Sequence, residues 1–299
     1  MDDARHADGR AGIDAALVER LIAAQFPQWA DLPVRPVAID GWDNRTYRLG
    51  EDMTVRLPTA AAYALAVEKE HRWLPVLAPH LPVAIPVPLG IGEPTAEYPH
   101  PWAVRRWIDG ETARADRIGD LPAFAAQVAA FVTALQRIDP TGGPAGGEHS
   151  FYRGTPLRHY DHEVRRDLKA LEGRIDTDGA RSVWEAALGA ARQGPPVWFH
   201  GDIAHGNLLV KGGELAAVID FGTSGVGDPS CDLVIAWTTF EGAGREAFRR
   251  GVDADDATWA RARGWAVWKA MLVLTGLDDG TAEAEAHHRV IKAAIAEHA

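Results

Sequence analysis

The pattern of apolar and polar positions changes character about a third of the way along the chain. After Asp14, Leu17, Val18, Leu21, Ile22 and Phe26 recur at helical spacing until Pro27 closes the run, and Asp14 is placed to cap it. Residues 34–40, 47–49 and 53–57 are then short β-rich runs, the third stopped by Pro58. Helical spacing returns over 60–77, with Leu65, Trp73 and Leu77 on one face. A proline-rich connector over 81–89 leads through an edge strand to an apolar strand at 102–108, which Asp109-Gly110 ends. Beyond that point helices dominate. Phe124, Val128, Phe131, Val132 and Leu135 form one face of a helix over 121–138. A loop over 139–156 carries GGPAGG, and helices follow over 160–174 and 180–192 around a break at 176–179. A further helix opens over 233–240, and 257–277, with Trp259, Trp265, Trp268, Met271 and Leu272, is apolar on nearly all sides and therefore buried. The order predicts an α+β chain in two lobes, β-rich over 1–109 and mostly helical over 110–299, with 1–11 disordered.

One stretch, 197–232, breaks the helical rhythm. Two apolar β-runs, 208–211 and 215–219, are joined by Gly212-Gly213-Glu214, which reads as a tight hairpin. His200-x-Asp202-x-x-x-x-Asn207 precedes the hairpin and Asp220-Phe221-Gly222 follows it. A hairpin folds the chain back, so Asn207 and Asp220 are expected side by side. Phosphoryl transfer to an alcohol needs one carboxylate to orient the hydroxyl and take its proton, and ligands to hold Mg²⁺ against nucleotide phosphates. Asp202 suits the first role, Asn207 and Asp220 the second. A zinc reading of His200 with His205 lacks the glutamates and the third ligand such sites use.

Composition narrows the setting. The chain has 299 residues, long enough for one large domain or two lobes with a sizeable core. A formal net charge of -11 argues against nonspecific nucleic-acid binding and is compatible with a cationic small-molecule partner. The single Cys231 excludes an internal disulfide and reads as a small buried filler. The acidic start is no signal peptide, and there is no run of about eighteen apolar residues. A cytoplasmic protein away from membranes is expected; oligomeric state is not legible.

The pattern H-x-D-x-x-x-x-N followed by D-F-G is that of protein kinases. The wording HGDIAHGN, then VIDFGTSGVGDPSCDL, resembles the aminoglycoside phosphotransferase family, antibiotic kinases sharing the protein-kinase fold, over residues 35–275. The resemblance implies a bilobal kinase-like fold with ATP or GTP as phosphoryl donor and an aminoglycoside or similar antibiotic as acceptor. The same scaffold also serves kinases of choline, sugars and homoserine, and a catalytically inactive nucleotide-binding module is the rival from another class. His200 is expected to pack beneath the catalytic loop, and Asp232 to accept its backbone hydrogen bonds. Asp228 either does the same or turns the chain. Gly41, Asp43 and Asn44 stand where the nucleotide loop lies, and Arg106, Trp107 and Ile108 where a hinge offers backbone groups to the base. Arg56 replaces the usual strand lysine, with Glu70 as its partner and Glu68 the runner-up. Glu241, Asp278 and Asp279 are the acidic candidates for a polyamine acceptor. The segment before Asp232 is too short for an activation loop, which argues against a protein substrate.

Overall fold

The computed structural model describes residues 10–298 apart from 39 and 42. Residues 1–9 of the start expected to be disordered therefore lie outside the described residues, while Arg10 is placed, with its guanidinium 2.9 Å from Asp40. The chain divides into two compact units, one running through Gly110 and including Ala217–Gly222, the other made of Glu111–Ala216 and Thr223 onward.

In the first unit, helix α1 (Ala15–Gln25) starts where the Asp14 carboxylate accepts the Leu17 N–H at 2.8 Å. Strands β1 (Val34–Pro36), β2 (Asn44–Leu49) and β3 (Met53–Pro58) precede helix α2 (Ala61–Leu77), and β4 (Pro88–Gly92) and β5 (Trp102–Arg106) follow it. The sheet order is β1-β2-β3-β5-β4, with each pair antiparallel. Alternation sorts its side chains: Val55 and Leu57 join Tyr47, Leu49, Trp102 and Val104 in a core closed by Leu17, Val18, Leu21 and Ile22 of α1. Arg56, one residue out of phase, points to the opposite side, paired in register with Thr46 and Ala103. The first strand stops at Pro36 rather than running to 40, because Pro36 cannot donate to the ladder and the chain then turns to the Asp40 loop. The edge strand lies at Pro88–Gly92, beginning on the last proline of the connector. A Cβ on Gly92 would sit 1.9 Å from the Trp102 indole, so this strand requires glycine there.

The second unit opens with β6 (Glu111–Thr112) and helix α3 (Leu121–Gln136), capped by Asp120 at 2.7 Å from the Ala123 N–H. Helix α4 (Asp161–Ala170) is shorter than the periodicity suggests, since the chain leaves it at Leu171 before reaching Gly173, whose φ is +79°, while α5 (Thr177–Gly189) has the expected length but starts three residues earlier, capped by Asp176. Strand β7 (Val197–Phe199) precedes the loop over 200–207, and β8 (Leu208–Lys211) pairs with β6. Gly212 and Gly213, with φ of +64° and +87°, turn the chain from β8 into β9 (Glu214–Val218). Strand β10 (Gly225–Gly227) pairs antiparallel with β7. Helices α6 (Ile235–Thr238), α7 (Gly242–Gly251), α8 (Asp256–Leu274) and α9 (Ala282–Ala296) complete the unit. Trp259, Trp265, Trp268 and Met271 of α8 are buried, as expected from a helix without a polar face. Leu272 is exposed, on the one side that faces solvent. Among the described residues no helix is long and apolar enough to cross a membrane.

Candidate active site

Asp202 is held by several neighbours in the second unit. Strand β7 delivers the chain to His200, which is fully buried and whose Nδ1 accepts the Asp202 N–H at 3.2 Å. Beneath it, Asp232 accepts the His200 N–H at 2.8 Å and the Gly201 N–H at 2.6 Å, one to each carboxylate oxygen. Gly201 has φ of +88°, and a Cβ there would meet the Thr223 carbonyl at 2.7 Å. Only glycine passes this point without strain. Asn207 donates its side-chain amide to the Asp202 carbonyl and to Asp202 Oδ2, both at 2.9 Å. Its nitrogen is thereby committed, which leaves the amide oxygen as the atom of ligand character. Lys269, on α8, donates to Asp202 Oδ1 at 2.5 Å.

These contacts set the charges. Burial pushes the Asp202 carboxyl up, but the charge and hydrogen bond of Lys269, aided by His200 and Arg153, outweigh it and leave the carboxyl below its usual value. Asp232 goes the other way: burial raises it to about 7 against two backbone hydrogen bonds that favour the anion. Asp228, open between two roles on sequence, forms a buried ion pair with Arg261 at 2.6 Å and also caps the turn at Ser230. A pocket opens at Asp202, lined by Arg153, Cys231, Trp265, Trp268 and Lys269 among others. The Arg153 guanidinium lies 4.5 Å over the Trp268 ring and 5.6 Å from that of Trp265.

In the first unit, Asp220 follows β9 with φ of +67°, a left-handed conformation rarely adopted by residues other than glycine, asparagine and aspartate. Arg56 reaches its Oδ1 at 3.3 Å. Burial depresses the Arg56 guanidinium, but Asp220, Glu70 and Asp43 together hold it above its ordinary value, so it is a permanent cation. The expected ion pair between Arg56 and Glu70 is not formed. Glu70 is instead bonded to Arg105 of β5, at 2.5 and 3.3 Å, with both side chains almost fully buried. The reason is register: Arg105 stands opposite Thr54, on the same sheet, and its planar fork matches the carboxylate bidentately. Glu68, the alternative partner, is exposed. Lys69 donates to the Gly222 carbonyl at 2.7 Å, and its burial lowers the amine to about 8 against the pull of Glu70 and Asp220.

The expected nucleotide loop is partly tied to itself. Asp40 accepts the Gly41 N–H at 3.0 Å and the Thr46 N–H at 2.9 Å and pairs with Arg45, so the Gly41 amide is already engaged. Asp43 receives Thr59 on its carbonyl, Asn44 is the first residue of β2, and residue 42 lies outside the described residues. At the hinge, the Trp107 N–H is donated to Asp52 at 2.7 Å and the Arg106 N–H to Val87 at 3.4 Å. That leaves Ile108 as the hinge residue whose N–H has no backbone partner among the described residues.

Residues 33–265 match the model of a phosphotransferase enzyme family. The chain belongs to that family. Among solved structures, a GDP complex of wild-type aminoglycoside 2'-phosphotransferase-IIIa superposes with a TM-score of 0.69 at 17% identity, over 95% of this chain and 99% of that one. The streptomycin-ATP ternary complex of APH(2")-IIa gives 0.59 at 17% identity over 96% of each chain. The apoenzyme of macrolide 2'-phosphotransferase MphH from Brachybacterium faecium gives 0.57 at 22% identity, over 94% of this chain and 97% of that one. At these identities the likeness establishes the shared fold, an α+β arrangement of the kinase-like kind. Comparison of the sequence with curated proteins gives no match.

In this phosphotransferase the late acidic residues do not line the pocket at Asp202. Glu241 is exposed at the start of α7, and Asp278 and Asp279 are exposed between α8 and α9. Asp279 is held by Arg174 at 2.7 Å and faces His288, because the turn after α8 brings it to the Arg174 fork. The pocket residues that sequence reasoning passed over are Lys269 and Arg153. Lys269 carried a signal, as a lone cation inside WAVWKAMLVL on an otherwise apolar helix and one turn from Trp265. Arg153, in a glycine-rich loop, carried none.

Proposed function

We propose that this phosphotransferase moves the γ-phosphoryl group of ATP or GTP to a hydroxyl of a small molecule. The observation that carries this reading is Asp202, fixed through both carboxylate oxygens at the mouth of a pocket in the second unit. In the proposed reaction the acceptor hydroxyl bonds to Asp202, its oxygen attacks the γ-phosphorus, and the bond to the β-bridging oxygen breaks to release the nucleoside diphosphate. The hydroxyl proton passes to Asp202. A depressed carboxyl is a weak base, which suits a loose transition state in which the proton leaves late and orientation is the larger contribution. Asn207, through its amide oxygen, and Asp220, through its carboxylate, supply the hard oxygen donors that Mg²⁺ prefers. When bound, Mg²⁺ neutralises charge on the nucleotide phosphates. Arg56 is the phosphate-positioning cation in place of lysine, and Arg105 with Glu70 braces the sheet beside it.

Solved structures of similar fold hold kanamycin, gentamicin or streptomycin or are macrolide phosphotransferases, which makes antibiotics the first acceptors to try. The test is acceptor-dependent release of ADP or GDP with Mg-ATP and Mg-GTP against aminoglycosides, macrolides, choline, sugars and hydroxy acids. Turnover on one class that Asp202→Ala abolishes, with nucleotide binding retained, is the expected result. Normal turnover in Asp202→Ala overturns the assignment.

A further inference from the structure

The pocket at Asp202 has an unusual charge for a site that would receive a polyamine. Of the residues lining it, Asp202 is the sole carboxylate, and it is already paired with Lys269. The other charged lining residue is Arg153, a second cation. Of the carboxylates nearby, Asp228 is paired with Arg261 and Asp232 accepts two backbone N–H groups, while Glu163 accepts the Trp268 indole N–H at 3.2 Å.

Aromatic walls do not reverse this. Trp265, Trp268 and Tyr160 would form a box for a quaternary or primary ammonium. Arg153 already fills it, with its guanidinium 4.5 Å from the Trp268 ring, 5.6 Å from Trp265 and 5.7 Å from Tyr160. An incoming ammonium would meet two cations, one of them already seated over the Trp268 ring. The Arg153 donors are only partly used. Nη1 bonds the Tyr160 hydroxyl at 2.7 Å and the Phe151 carbonyl at 3.2 Å, while Nε and Nη2 have no partner among the described residues. Lys269 spends one of its three donors on Asp202.

We propose that the acceptor is a small hydroxy acid, its hydroxyl bonded to Asp202 and its carboxylate received by the open edge of Arg153 with help from Lys269. The inference rests on the kinase reading above. It makes Arg153 a specificity-determining residue.

Matched probes separate charge from shape. Gluconate, sorbitol and glucamine share an open-chain polyol and differ at one carbon, which carries a carboxylate, a hydroxymethyl or an ammonium. Each presents hydroxyls at many distances from that carbon. Acceptor-dependent turnover with Mg-ATP is measured for the three on wild type, Arg153→Gln and Arg153→Lys. The expected kcat/KM for gluconate exceeds that for glucamine by about tenfold or more, the effect of one charge-assisted bond made rather than opposed. Arg153→Gln brings gluconate to within about twofold of sorbitol, Arg153→Lys recovers part of the preference, and the KM for Mg-ATP is unchanged in both. Should Arg153→Gln fail to fold, the gluconate-to-sorbitol ratio in Lys269→Gln is the second reading, expected to fall in the same direction. The proposal is overturned if glucamine or an aminoglycoside is the better acceptor in wild type. A preference that survives intact in folded Arg153→Gln overturns it too, as does gluconate giving no turnover while another acceptor does. Those outcomes leave the kinase standing. Failure to bind Mg-nucleotide at all removes the kinase reading and the proposal with it.

Discussion

Lys269 bonds the candidate base and Asp232 the backbone just before it, and the two have titration consequences of opposite sign. Lys269 helps hold Asp202 below its usual value, so Lys269→Met lets burial win and raises that carboxyl. The acidic limb of a kcat/KM profile against pH should therefore move to higher pH in Lys269→Met; an unmoved limb would show that Lys269 does not set the base. Asp232 is raised to about 7 in the folded chain and ionises near 4 when unfolded. Its contribution to stability is therefore fully present below the unfolded value and lost as pH rises through 7. Urea titrations at pH 8 and pH 6 should show wild type gaining stability on acidification, with a smaller gain in Asp232→Asn. That amide also cannot accept both the His200 and Gly201 N–H groups with one oxygen, so it should cost about 1–3 kcal/mol at any pH.

Elements in this protein depend on partners that are distant in sequence. Strand β5 and helix α2 are linked by Arg105 and Glu70, a pair nearly without solvent. Glu70→Ala leaves a guanidinium buried alone and should cost about 3–5 kcal/mol by chemical denaturation, while the double replacement Glu70→Leu with Arg105→Met should recover most of it. Equal losses in the single and double variants would mean that packing rather than charge is what α2 and β5 share. Between β7 and the catalytic loop the constraint is steric. Gly201→Ala forces a left-handed alanine at a cost of about 1–2 kcal/mol and adds the collision with Thr223. It should lower kcat with little change in nucleotide KM, because the backbone it displaces carries Asp202 and not the first-unit residues proposed to hold the nucleotide.

For the molecule as a whole, Mg-nucleotide should act as a folding ligand. At about a hundredfold excess over Kd it adds about 2.7 kcal/mol, read as a rise in Tm. Asp220→Ala should abolish the rise and Asp202→Ala should keep it, since one is proposed to face the nucleotide and the other the acceptor. The sequence by itself determined whatever depends on near neighbours. Spacing within 197–232 placed an aspartate, an asparagine and a second aspartate around a glycine turn, and alternation placed Arg56 on the opposite side of β3 from the core. Asp14 and the prolines marked helix boundaries because capping and ring closure act over a few residues. What only the tertiary structure decided was which charge meets which. Glu70 finds Arg105 35 residues on, and Asp202 finds Lys269 67 residues on. Neither choice follows from spacing, because a buried charge takes whichever counter-charge packing brings within hydrogen-bond reach. The same holds for the pocket proposed to take the acceptor: Arg153 and Lys269 are ordinary cations along the chain, and they line one pocket only when the loop before α4 and the helix α8 are folded against Asp202.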